Sequence, residues 1–331
     1  MQSGFFDHQE RLELLERLGD PLPKLERTVD WGGFRVLLAN VYKHSEPSKG
    51  GRPPFDSVLM FKVLVLQQFY DLSDDQTEFQ IRDRYSFCRF LGLSPEGRVP
   101  DAKTIWVFRE RLKKLSLMDA LFDELLAQID TAGFTARKGQ IVDAALVPVP
   151  IQRNTRDENA RIKVGDVPED WQENKRRQKD VQARWTKKHG KSHYGYKNHI
   201  SVDRQHKVIR KYSVTSAAVH DSQLLAELLD ESNSSGDVWA DSAYRSAEHE
   251  QMLRGANYRS RIHRKGNRHR PLNEREQQAN RNRSEVRARV EHVFAQQIRR
   301  LIRTIGLARA TVRISMMNLV YSMRRLAWLA G

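Results

Sequence analysis

The sequence predicts an α/β chain in which an all-helical block precedes a mixed sheet with flanking helices. Three observations carry this reading. Up to Gly133, apolar residues recur at helical spacing. From Gly139 the pattern changes to period two and to short apolar runs. From there the order is strand, hairpin, helix, strand, helix, strand, helix, which differs from the strict alternation of a doubly wound sheet.

Residues 7–19 read as a short amphipathic helix, with Leu12, Leu15 and Leu18 in register and Gly19 as a stop. The paired glycines and prolines of 46–54 make a linker. Phe55 to Tyr70 is strongly apolar and follows Pro54, a favoured start for a helix. Ser73 is placed to cap a helix whose first turn carries Asp74 and Asp75. Asp101 is placed to cap another, in which Ile105, Phe108, Leu112 and Leu115 recur at helical spacing. Leu117 to Ile129 comes next, closed by Gly133. Such a block either reads DNA through a helix-turn-helix or is plain helix packing. In the first case Lys103, Arg109 and Arg111 would be the reading side chains.

Residues 139–150 read as a buried strand with Asp143 inside it. Residues 152–193 are polar and basic with little periodicity, too long for an ordinary loop, and read as a functional insertion. Strand candidates at 194–203 and 207–217 flank a turn at Arg204–Gln205. Leu224, Leu225, Leu228 and Leu229 form the apolar face of a helix that Asp221 would cap. A strand is expected at 237–241, a helix near 246–254, a strand at 258–264 and a long basic helix from Glu285 to Arg303. The domain boundaries expected are an arm and linker over 1–50, a helical DNA-binding domain over 51–135, and a third domain over 136–331 with the basic insertion inside it.

Composition narrows the function. Lys plus Arg number 57 against 42 Asp plus Glu, a net of +15. The surplus is local: residues 1–250 hold 38 basic and 38 acidic side chains, and residues 251–331 hold 19 and 4. A second basic run within 175–191 contains Arg184, Lys187 and Lys188 around Trp185. Clustered cations release counterions from phosphate backbones, whereas solubility needs no clustering. A polyanionic, phosphate-bearing partner is therefore expected, with Trp185 either stacking on a flipped or frayed base or serving as a core anchor. No apolar run approaches the ~20 residues of a membrane span, and the basic runs lack the wide apolar face of a membrane-surface helix. Phe5 and Phe6 are followed at once by Asp7, His8 and Glu10, unlike a secretion signal, so a cytoplasmic location is expected. Cys88 is the single cysteine, which excludes an internal disulfide and a cysteine-built zinc site.

Three acids stand out. Asp143 interrupts a strand that is apolar on both faces, where a carboxylate is costly unless paired or metal-bound. Asp241 ends the apolar run Val238, Trp239, Ala240. Glu291 lies beside the stripe Val286, Val290, Val293 and Phe294, at the edge of the buried face. Three such carboxylates suit a pair of magnesium ions acting on a phosphodiester. Each also has an ordinary reading: a strand-end residue, a cap, and an ion pair between Glu291 and Arg287 four residues earlier.

The segments IVDAALVP, VWADSAYRS and VRARVEHVF resemble the three acidic motifs of DDE transposases, more narrowly those of the bacterial insertion-sequence-five family. GYKNHISVD, VTSAAVHDS and the stretch from GRPPFDSVLM through VPDAKTIWVFRERL are similar to the same family. The resemblance runs from about Phe5 to Trp328. It implies an RNase H-like catalytic domain with Asp143, Asp241 and Glu291 as triad and metal ligands. It also implies Mg2+, with two ions and Mn2+ as substitute, strand cleavage and transfer at terminal inverted repeats, a homodimer on double-stranded DNA, and a nucleoid-associated bacterial setting. The family's glutamate motif carries a tyrosine, an arginine and a lysine. Arg287 matches the arginine, Ser284 replaces the tyrosine and Ile298 the lysine, for which Arg299 or Arg300 would substitute. A repressor-type DNA-binding protein without catalysis is the competing expectation. Asp203 reads as a hairpin-turn residue, and no phosphate-cradling glycine loop is present.

Overall fold

A computed structural model describes residues 7–42, 53–94, 96–188, 190–297 and 301–331. The chain divides into two compact units, residues 1–132 with 315–331, and residues 133–314. The segment 1–50, read from sequence as an arm, groups with the helical unit, and so do the last seventeen residues, read as part of the third domain.

The helical unit contains α1 (Asp7–Arg17), α2 (Leu22–Thr28), α3 (Arg35–Leu38), α4 (Ser57–Phe69), α5 (Asp74–Asp83), α6 (Tyr85–Leu91), α7 (Ala102–Lys114) and α8 (Met118–Thr131). Local chemistry explains their starts. Asp56, rather than Pro54, opens α4, because its Oδ1 accepts from the amides of Val58 and Leu59 at 3.0 Å each. Ser73 caps α5 through the Gln76 amide, and Asp101 caps α7 through the Thr104 amide, as the sequence suggests. α6 stops at Gly92, whose φ of +67° suits a left-handed cap. The core gathers Phe34, Phe61, Phe87 and Phe108, with Trp31 edge-on to Phe90 at 5.4 Å. Helices α2, α3 and α6 escape sequence reading because four to seven residues hold too few turns to show a period. Of the expected linker 46–54, residues 46–52 lie outside the described residues.

The second unit is a mixed, RNase H-like sheet with flanking helices. Its elements are β1 (Gln140–Pro148), α9 (Arg156–Lys163), α10 (Glu173–Gln178), β2 (Arg184–Lys188), β3 (Lys191–Asp203), β4 (Ile209–Ser216), β5 (Asp237–Trp239), α11 (Ala247–Gly255), β6 (Arg259–Ser260), α12 (Glu274–Arg287) and α13 (Glu291–Gln297). β1 is antiparallel to β3, with Asp143 opposite Ile200, and parallel to β5, with Ile141 beside Trp239. β3 also pairs antiparallel with β2 and β4, and β6 adds parallel to β5. Glycine permits two close approaches. A Cβ at Gly195 would lie 2.2 Å from the Val147 carbonyl, and one at Gly139 would lie 2.5 Å from the Asp237 carbonyl and the Trp239 ring. The core beneath joins Val142 and Val238 to Leu225, Leu228, Leu253 and Ile262.

Three sequence expectations change here. The segment 152–193 is ordered into α9, α10 and β2, with a capping box between Thr155 and Glu158. The expected helix at 221–229 reduces to a 3-10 turn, Asp221–Leu224, capped by His220 instead of Asp221, although Leu224, Leu225, Leu228 and Leu229 are buried. The expected continuous helix Glu285–Arg303 is broken: α12 ends at Arg287, Ala288–Val290 forms a 3-10 turn, and α13 starts anew at Glu291. The last helix, α14 (Leu307–Leu329), has no counterpart among those expectations. Its residues from Ser315 group with the helical unit, where Arg324 lies over the Phe69 ring.

Candidate active site

Asp143 sits in the middle of β1 and is 8 % exposed. Its Oδ1 accepts from the Ala144 amide at 2.8 Å and its Oδ2 from Arg287 at 2.9 Å. Burial pushes its carboxyl up to about 6. Arg287 and the Ala144 amide oppose that change, the Asp241 carboxylate adds to it, and Lys188 of β2 opposes it. Four residues singled out from sequence, Asp143, Asp241, Arg287 and Lys188, therefore share one electrostatic environment.

Asp241 lies two residues beyond the last β1–β5 pair, as Asp143 does on β1. Parallel register thus sets the two acids side by side on neighbouring segments of the sheet. Asp241 is also a cap, accepting from the Ala243 amide at 2.7 Å. The ordinary reading of this residue and the functional one hold together. The turn it caps delivers Tyr244, which sequence reasoning missed. Tyr244 is 1 % exposed, and its hydroxyl has no hydrogen-bond partner among the described residues. Burial holds that hydroxyl well above its usual range, reinforced by Asp143, Asp221 and Asp241. Asp221 contributes a further carboxylate, paired with Lys197 at 2.7 Å. The spacing of Tyr244, three residues after Asp241, was the available signal.

Glu291 is not gathered with the two aspartates. It opens α13 and is exposed, contrary to the expected position at the edge of the buried face. Among the described residues, no group of three or more His, Cys, Asp or Glu side chains is close enough to hold a metal. The cause is local. Val290, Val293 and Phe294 are buried, and Glu291 lies about 100° round the helix from Val290. Arg287 turns to Asp143 and not to Glu291. Ser284, at the family's tyrosine position, lies 3.4 Å from His263 Nε2. Ile298, Arg299 and Arg300 lie outside the described residues.

Among the described residues, the cations nominated for DNA fall into two groups. Lys103, Lys187 and Lys188 are exposed. The others are engaged within the fold. Arg109 donates to both Asp74 oxygens at 2.8 and 2.7 Å and to Gln67 at 3.0 Å. Arg111 lies over the Tyr42 ring at 5.1 Å, and Arg184 donates to the carbonyls of Val181 and Ala183. Trp185 is 46 % exposed, with its ring 5.1 Å from that of Tyr194. Asp203 is the turn residue expected, its carboxylate accepting from the amides of His206 and Val208.

The donor chemistry suits a hard divalent ion. Magnesium binds through one or two carboxylates plus substrate phosphate, and Asp143 with Asp241 provides two. No helix among the described residues is long and apolar enough to cross a membrane.

Two known families match the chain. Residues 9–111 match the family described as Transposase domain (DUF772), and residues 135–323 match Transposase DDE domain. Among solved structures, the chain is similar to a piggyBac transposase synaptic complex with hairpin DNA, at 12 % identity and a TM-score of 0.47, over 94 % of this chain and 75 % of the other. The second family match covers more than half of the chain, including Asp143, Asp241 and Glu291, so the protein belongs to the transposase DDE domain family and is a DNA transposase.

Proposed function

We propose that this transposase grips the terminal inverted repeats of an insertion sequence of the insertion-sequence-five kind, and performs metal-dependent strand cleavage and strand transfer. The observation that carries the reading is the coupling of Asp143, within β1, to Asp241, just past β5 on the neighbouring stretch, within reach of Arg287 and Lys188. Asp143, Asp241 and Glu291 are the residues that would hold Mg2+ or Mn2+, two ions in all. When bound, such ions supply a lowered pKa for attacking water and charge stabilisation for the leaving oxygen. The chain's own residues do the rest. Arg287 pairs with Asp143 at 2.9 Å, and a divalent ion held by that carboxylate would leave the guanidinium to answer a DNA phosphate. Lys188 holds a second phosphate beside the carboxylates. The exposed Lys103 of α7 contacts the repeat. Because two ends must be held together, the active species is a homodimer on DNA.

The test is a strand-cleavage assay on duplexes carrying the element ends, with Mg2+ or Mn2+. Asp143→Asn, Asp241→Asn and Glu291→Gln should each lose more activity than the roughly 100-fold associated with supporting partners of a metal, while still binding the ends. Undiminished cleavage by a folded Asp143→Asn protein would refute the assignment.

A further inference from the structure

Apart from the carboxylates, the second unit holds a cavity of about 530 Å³ between α9 and the β2–β3 hairpin. Its size lies within the usual range for small-ligand pockets. Trp185 and Tyr194 form one wall, with Ile162 and Ala183 also lining it. The remaining lining includes Arg156, Lys163 and Lys187, all exposed, and no Asp or Glu. The carboxamides of Asn154 and Asn159 add hydrogen-bonding groups, linked to each other at 3.3 Å.

We propose that this cavity receives one unpaired base of the DNA substrate, an inference that rests on the transposase reading and adds a subsite to it. The chemistry selects this occupant. Trp185, packed on one side against Tyr194, is 46 % exposed and lines a largely apolar space. An unstacked base presents an aromatic face that suits it, because every base stacks whatever its sequence. A wholly apolar ligand would leave three cations unanswered, whereas a base arrives with phosphates on both sides for Arg156, Lys163 and Lys187. Asn154 is held by Lys179 Nζ at 2.6 Å and by Asn159, which leaves the Asn159 carboxamide as the group of the kind that reads base edges. β2 also carries Lys188, which acts on Asp143, so the same strand joins the cavity to the carboxylates. Trp185 and Lys188 are three residues apart on β2, roughly 10 Å along the strand with side chains on opposite faces, so the link between cavity and carboxylates runs through the backbone of that strand. A base held in the cavity would fix the position of the strand that runs to the acids.

The experiment uses the full chain in chelator, without divalent ions, on paired duplexes and on otherwise identical duplexes with one unpaired 2-aminopurine. The wild type should bind the unpaired form about tenfold more tightly and change the 2-aminopurine fluorescence. Trp185→Ala should lose both the preference and the fluorescence change while binding paired duplex within about twofold of wild type. Trp185→Phe should restore most of the preference, which a role in folding alone would not require. Equal affinity of the wild type for both duplexes, or a preference retained by Trp185→Ala, would overturn the cavity proposal. If adenosine monophosphate displaces the unpaired duplex at equal concentration, the site is one for free nucleotides and the proposal likewise fails. These failures leave the transposase reading standing as long as paired duplex binds with steep salt dependence. Absence of any duplex binding would remove both.

Discussion

At the residue scale, burial is the force that sets the chemistry of the second unit. Asp143 lies on a strand paired to β3, and its carboxylate is kept from water. Desolvation disfavours its charge, and only Arg287, the Ala144 amide and Lys188 compensate. His199 shows the same force with the opposite sign. It is fully buried on β3, its Nε2 lies 2.8 Å from Thr215 Oγ1, and its Nδ1 has no partner among the described residues. Burial lowers it to about 4, with Lys197 assisting and Asp221 opposing. Between about pH 4 and 6.5 the unfolded chain therefore takes up a proton that the folded chain refuses. Stability rises with pH across that window and is level above it. The contribution is roughly 3 kcal/mol, because each tenfold loss of proton affinity is worth about 1.4 kcal/mol. Urea unfolding of the wild type and of His199→Gln across this range should give a difference that changes by that order. A constant difference would show that the histidine titrates normally in the fold.

At the element scale, caps and breaks decide where functional groups point. The starts of α5 and α7 were legible because Ser73 and Asp101 carry capping chemistry in their own side chains. The break between α12 and α13 was not. No glycine or proline marks it, and a 3-10 turn of three residues changes the phase of the helix after it. That phase leaves Glu291 in solvent while Arg287 reaches Asp143. Two acids tie down the basic segment 152–193: Glu158, which accepts from Trp171 Nε1 and Lys175 Nζ, and the buried Asp180. Asp180 is 2 % exposed and accepts from Tyr196 Oη at 2.7 Å, the Gly306 amide at 3.1 Å, and the Gln182 and Ala183 amides at 3.0 Å each. Replacing it with alanine leaves those buried donors unmatched and should destabilise the unit by roughly 3 kcal/mol. Urea denaturation would measure this, and trypsin should cut the 175–191 run faster in Asp180→Ala. An unchanged midpoint would mean that the segment is held by other contacts.

At the scale of the whole molecule, the net charge of +15 is concentrated beyond residue 250 and in the 175–191 run. Some cations are already committed: Arg109 to Asp74, and Arg259 and Arg261 to Asp237. Enough remain exposed for a strongly electrostatic interface. DNA affinity should fall with salt along a log–log slope steeper than about −5, corresponding to roughly six phosphates neutralised. Fluorescence anisotropy across a salt series reads this directly. A shallow slope would argue that the surplus charge serves another purpose.

The helical block, the strands around Asp143 and in the 194–217 hairpin, the acids at Asp143 and Asp241 and the family resemblance can be read from the chain without coordinates, whereas β2 and the turn in place of the expected 221–229 helix cannot. Short-range periodicity, capping chemistry and contiguous motifs encode the former. Which charges meet is settled in three dimensions alone. Arg287 reaches Asp143 across 144 positions, and Tyr244 lies near three acids while Glu291 stands apart. The physical reason is that pairing and burial depend on distance in space, and a helix break of three residues redirects a side chain without leaving a mark in composition.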